Sequence, residues 1–178
     1  MLKKIIIISL ILSTYSVICY SIYNDNPIST KVKTNIITKI NKTNTINKET
    51  NIGNIKIKAI NLNQKLFPQN SKHNNIEENV TILNGSIEPD NDNSIFFLAA
   101  HSGTGRKAIF KNLDKLNIND EEELFYKDNS YTYIVNNIWE TKKTGNISVP
   151  KENKNQLVLT TCSPSRDNYQ LIINCIKK

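Results

Sequence analysis

Two short apolar runs, each ending in a chemically useful side chain, constrain this chain more than any other feature. Leu157-Val158-Leu159-Thr160-Thr161 leads into Cys162 and then into Ser163-Pro164-Ser165-Arg166. Ile95-Phe96-Phe97-Leu98-Ala99-Ala100 leads into His101 and then into Ser102-Gly103-Thr104-Gly105. Several apolar residues followed by an abrupt change to turn formers read as a core strand. A thiol and an imidazole at the ends of two such strands can meet in a fold although 61 positions (162 − 101) separate them. The chemistry this points to is nucleophilic. A cysteine near an imidazole can be held as a thiolate, and a thiolate attacks carbonyl carbon.

The amino-terminal segment sets the expected compartment. Lys3 and Lys4 precede an uncharged stretch from Ile5 to Ile22, at the lower edge of the length that spans a bilayer. Residues 1–22 therefore read as a membrane anchor, with a cleaved signal peptide as the alternative. No small-x-small cleavage pattern is evident, and Ile18 before Cys19 is too bulky for a lipoprotein-type cut. The two lysines predict a cytoplasmic amino end and an extracellular remainder, a single-pass protein of the cell membrane. Residues 23–52 are rich in Asn, Thr and Lys, lack apolar periodicity, and read as a solvated linker. They carry much of the net charge of +7, in a chain of 178 residues. Attraction to anionic lipid or wall polymer is the other reading of that charge. Nucleic acid is not an expected partner, because the basic residues do not interleave with aromatics.

Of the three cysteines, Cys19 lies in the apolar segment, leaving Cys162 and Cys175. If Leu157–Thr161 and Tyr169–Ile176 form an antiparallel hairpin, Cys162 falls near its turn and Cys175 towards its far end. That separation exceeds the few ångströms a disulfide allows between Cα atoms. Cys162 is expected to be a free thiol, and Cys175, in Ile172-Ile173-Asn174-Cys175-Ile176, a buried structural one.

The folded part, residues 53–178, reads as seven or more strands with one helix, a mostly β barrel or sandwich. Ile55 to Leu62 predicts a first strand, Leu66-Phe67 a second ending at Pro68, and Val80 to Leu83 a third. Ile95–Ala100 predicts a strand buried on both faces. Ile109, Leu113 and Leu116 make a helical stripe over Arg106–Leu116, with Asn117 as its stop. Leu124–Tyr126 and Tyr131–Val135, around Lys127-Asp128-Asn129-Ser130, predict a hairpin. Ser102-Gly103-Thr104-Gly105 lacks both the P-loop ending and dinucleotide spacing. His73 and His101 are the only histidines, and no set of Cys and His has metal-ligand spacing. His73, in a polar loop, reads as a solvated residue. No metal and no organic cofactor is implied.

Ala99-Ala100-His101-Ser102-Gly103-Thr104, followed by Phe110–Leu116, resembles the histidine region of sortases. Leu159-Thr160-Thr161-Cys162 resembles their L-x-T-C strand end, and Tyr131–Val135, Ile55–Ile60 and Glu78–Gly85 also fit. The resemblance covers roughly residues 53–178. It implies an eight-stranded β-barrel with a short helix, preceded by one transmembrane helix. It also implies a cysteine transpeptidase and endopeptidase that cuts a carboxyl-terminal sorting signal of a secreted protein and joins it to a cell-wall amine. Cys162 would be the nucleophile and His101 the general acid and base. The family's arginine, on the last strand, has no match here: Gln170 occupies the expected place, and Arg166 is the nearest arginine. Arg166 swinging in, or Gln170 serving as a neutral donor, are the two expectations for steadying the oxyanion, with Arg166 preferred. Within the resemblance, the lack of a second hydrophobic span after Lys178 points to wall anchoring rather than pilus polymerisation. Papain-like enzymes place cysteine before histidine, and L,D-transpeptidases place His-Gly before their cysteine, so both fit poorly. The remaining alternative is a catalytically impaired sortase-like module that binds sorting peptide or wall polymer without cutting it.

Overall fold

The computed structural model describes residues 50–178, so the expected anchor over residues 1–22 and linker residues 23–49 lie outside the described residues. Among the described residues no helix is long and apolar enough to cross a membrane. Eight strands form one curved, nearly closed sheet: β1 Gly53–Ile57, β2 Leu62–Leu66, β3 Thr81–Ile82, β4 Ile95–Ala99, β5 Glu121–Tyr126, β6 Asn129–Lys142, β7 Gln156–Cys162 and β8 Tyr169–Lys177. Their order is β2-β1-β5-β6-β8-β7-β4-β3. Every neighbouring pair is antiparallel except β4 and β7, which run parallel.

The core follows from strand alternation. Ile55 and Ile57 of β1, Leu124 and Tyr126 of β5, and Tyr131, Tyr133 and Val135 of β6 share the inward face. β7 differs, because Gln156 to Thr161 are buried without a break. A strand covered on both faces needs apolar residues at consecutive positions, which is why its sequence does not alternate. β4 was expected to be covered in the same way, yet Phe97 and Ile95 are only half-buried while Phe96, Leu98 and Ala99 are buried. Phe97 floors an outer groove with Leu83 and Ile147 and so keeps one side partly open.

Two local expectations are corrected. The run Ile55 to Leu62 is not one strand. It breaks at a 3₁₀ turn, Lys58–Ile60, and at Asn61, whose φ of 51° is left-handed. Asparagine tolerates that conformation well, and it reverses the chain so that Ile57 pairs with Leu62. The helix expected over Arg106–Leu116 is also absent: the described residues there form successive turns and a single 3₁₀ turn, Leu113–Lys115. The Phe110 N–H donates to the His101 carbonyl at 2.9 Å instead of to a carbonyl one helical turn earlier. Ala108, Phe110, Leu113 and Leu116 are the buried residues, and the two-residue step from 108 to 110 cannot share one helix face. Burial of Phe110, absent from the Ile109 stripe, overrides the helical period.

The β5–β6 hairpin forms as expected, turning at Lys127-Asp128. Alternation also carries Glu122 inwards, between Ile57 of β1 and Tyr133 of β6 in register. Burial pushes its carboxyl up to about 8, against a smaller downward pull from the Cys175 thiol nearby. Below about pH 4.5 the group is protonated folded or unfolded; between that value and about 8 only the folded chain holds the proton. Stability is therefore lost as pH rises through this window. We predict that Glu122→Gln gains stability over the wild type by about 1 kcal/mol per pH unit between pH 6 and 8 in urea titrations. A pH-independent difference between the two would contradict a buried, protonated Glu122.

Candidate active site

The parallel ladder of β4 and β7 builds the site. Ile95 pairs with Gln156 and Ala99 with Thr160, a constant offset of 61 (156 − 95). The same offset separates His101 from Cys162. Continued one step past its last formal pair, with the Ala100 N–H donating to the Thr160 carbonyl at 3.3 Å, the ladder leads both residues off the same edge of the sheet. Adjacent strands lie about 4.8 Å apart, so this register brings the two residues to one edge of the sheet.

Two side-chain hydrogen bonds fix that edge. The buried Thr161 hydroxyl donates to the Ala100 carbonyl at 2.7 Å. The Ser102 hydroxyl donates to the Cys162 carbonyl at 2.9 Å. The residues flanking His101 are thus tied to those at and before the cysteine. His101 and Cys162 line a cavity of about 270 Å³ together with Thr161, Gln170, Lys143 and Ile147. Cys162 also borders a second cleft, of about 340 Å³, with Ser102, Thr104, Lys111, Asp114 and Pro164. Cys162 is thus shared by the two clefts.

The imidazole is held from outside. His101 Nε2 lies 3.1 Å from Glu77 Oε1, and Lys107 Nζ donates to Glu77 Oε2 at 3.2 Å. Hydrogen bonding to His101, and then to Lys107, holds the Glu77 carboxyl below the usual carboxylate range. Cys175 sits elsewhere. It is fully buried on β8 opposite Leu157, five residues along from Gln170, the partner of Cys162. That spacing is about 16 Å along the strand, and both cysteines are free. Burial pushes the Cys175 thiol well up, which suits a packing residue rather than a nucleophile.

Of the two candidates for the third role, only Gln170 lines the cavity. It pairs directly with Cys162 across β7 and β8, and its Nε2 is buried. Arg166 stacks its guanidinium on the Tyr169 ring, 3.6 Å from the centroid, with Nη1 3.9 Å from Glu140 Oε2. Glu140 also accepts hydrogen bonds from Ser163 and Ser165. Those bonds, with Ser163 foremost, keep its carboxyl low and ionised beside the guanidinium. A residue missed in the sequence is hydrogen-bonded to the sulfur itself: Lys143 Nζ donates to Cys162 Sγ at 2.9 Å. The signal was a Lys142-Lys143 pair at the end of a long strand, just before Thr144-Gly145.

A nearly closed eight-stranded barrel with a thiol and an imidazole at the ends of two parallel strands defines a class of thiol-bearing barrel proteins. The sortase domain model matches residues 55–177. Solved structures that match include sortase C1 from Streptococcus agalactiae, at 26% identity and a TM-score of 0.63, covering 75% of this chain and 70% of that one. A lid mutant of sortase A from Corynebacterium diphtheriae matches at 21% identity and a TM-score of 0.64, covering 72% of this chain and 70% of that one. Sortase C from Streptococcus pneumoniae matches at 23% identity and a TM-score of 0.64, covering 74% and 69%. No curated protein matches the sequence. The chain belongs to the sortase family, a family of cysteine transpeptidases that act on sorting signals and amine nucleophiles.

The hydroxyl of Thr161 gives the site's scaffold a direct test. Thr161→Val keeps the shape but leaves the Ala100 carbonyl short of a partner, which is expected to cost about 1–3 kcal/mol in urea unfolding. An unchanged midpoint would show that this bond does not hold the two strand ends.

Proposed function

We propose that the protein cleaves a carboxyl-terminal sorting signal of secreted proteins and transfers the new carboxyl end to a cell-wall amine. The observation that carries this reading is the shared offset of β4 and β7, which brings His101 and Cys162 to one cavity. The Cys162 thiolate attacks the scissile carbonyl, and the tetrahedral intermediate collapses as the peptide C–N bond breaks. His101 gives its proton to the departing amine, leaving a thioacyl enzyme. An incoming amine then attacks the thioester, His101 takes its proton, and the C–S bond breaks to restore the thiolate. That Cys162 lines two clefts supports a reaction with two substrates, one reaching it from each. The proposed anchor over residues 1–22 would tether this domain outside the cell, beside both substrates.

Incubating the full-length protein in detergent with a panel of sorting peptides and hydroxylamine, with products read by mass, tests the reading. Cys162→Ala is expected to abolish cleavage and transfer. His101→Ala should lower turnover by about 10²–10⁴, the scale of general acid–base help, with the fold retained. Cys175→Ala should stay within a few-fold of wild type, because that thiol is packed in the core. Peptide capture without any cleavage by the wild type would instead favour a binding module.

A further inference from the structure

We propose that Lys143 is the cationic group of this active site, a catalytic residue supplied from just past the end of β6 in the place sortases give to an arginine on the last strand. The inference rests on the transpeptidase reading above and adds a residue to it. Lys143 Nζ donates to Cys162 Sγ at 2.9 Å, so it touches a reacting atom. Among the described residues it is the one Lys or Arg that lines the cavity shared by His101 and Cys162. Arg166 is committed to Tyr169 and Glu140. Gln170, opposite Cys162 in register, carries no charge.

The sheet order explains how the residue that follows β6 reaches the site. β8 lies between β6 and β7. Lys142 pairs with Tyr169, and the Lys143 N–H donates to the Asn168 carbonyl at 2.8 Å, which holds the end of β6 against the start of β8. From there the flexible lysine stem passes over the strand to the sulfur. A neutral glutamine at position 170 suits this arrangement, because an arginine there would set a second cation beside the ammonium. The positive charge has moved one strand over, and the position facing Cys162 has become neutral.

An ammonium hydrogen-bonded to sulfur favours the anionic, nucleophilic form. When the sulfur attacks, its negative charge passes to the carbonyl oxygen. Three rotatable N–H donors let the same ammonium follow that charge, a freedom a planar guanidinium lacks. The other ionisable groups lining the two clefts are His101, after the end of β4, and Lys111 and Asp114 in the second cleft. Arg166 lies 3.9 Å from Glu140, which is itself bonded to Ser163 and Ser165.

The test separates the lysine from the reaction. Full-length protein in detergent is treated with iodoacetamide at pH 6.5, and alkylation of the Cys162 peptide is followed by mass. Lys143→Met should slow that alkylation by about tenfold or more, and Lys143→Arg should keep it within a few-fold. Lys143 is exposed, so both variants should melt like the wild type. Transfer from a cleavable sorting peptide to hydroxylamine should fall about 10²–10³ in Lys143→Met, the scale for losing an oxyanion donor. Gln170→Arg introduced into Lys143→Met should recover much of it by returning a cation from β8. Unchanged alkylation in Lys143→Met overturns the proposal, whatever happens to turnover, because the lysine then does not act on the sulfur. If no variant and no wild type transfers any peptide while alkylation still falls, the transpeptidase reading fails and the pairing of Lys143 with Cys162 stands.

Discussion

The parallel pairing of β4 with β7 is the constraint on which the rest of the structure depends. Parallel neighbours need a crossover, and here it spans 61 positions in register, with the β5–β6 hairpin inside it. Seven consecutive residues of β7 join this ladder or its antiparallel partner on β8. Its two ends are closed by further backbone bonds, Gln156 to Ser94 at 2.7 Å and Ala100 to Thr160 at 3.3 Å. A slip of one residue would turn every β7 side chain to the opposite face and carry Cys162 out of line with His101. The buried apolar faces that forbid such a slip also fix the site.

Around that edge, two carboxylates are tied to donors. Glu77 holds the imidazole on one side and Lys107 on the other. Glu140 gathers Ser163, Ser165 and Arg166, which orders the turn after Cys162. Exposed pairs of this kind contribute little to stability. Their effect is on geometry: they settle where loop side chains point, and in doing so they draw Arg166 away from the sulfur.

The pair Cys162 and His101 was legible because each closes an apolar run, and a run that stops abruptly marks a strand end without any knowledge of the partner. The barrel's later strands were legible for the same reason. Less could be read where tertiary packing overrode local period, as at Phe110, or where one left-handed residue, Asn61, split an apolar stretch into a hairpin. Glu122 was hidden in Glu121-Glu122-Glu123, which looks solvated until the strand that begins at Glu121 is extended through it. Lys143 was hidden by distance in the chain: it precedes Cys162 by 19 positions, and only the β6-β8-β7 order brings it to the thiol.

The long crossover has a consequence for how the chain acquires its chemistry. The β5–β6 hairpin and the β7–β8 hairpin are local and can close early, whereas a parallel contact between segments 61 positions apart must wait for loop closure over the whole intervening chain. His101 meets Cys162 only through that late contact. Until that contact closes, thiol and imidazole stay apart. Chemistry that needs both is thus a property of the completed barrel, acquired with its longest-range strand pairing.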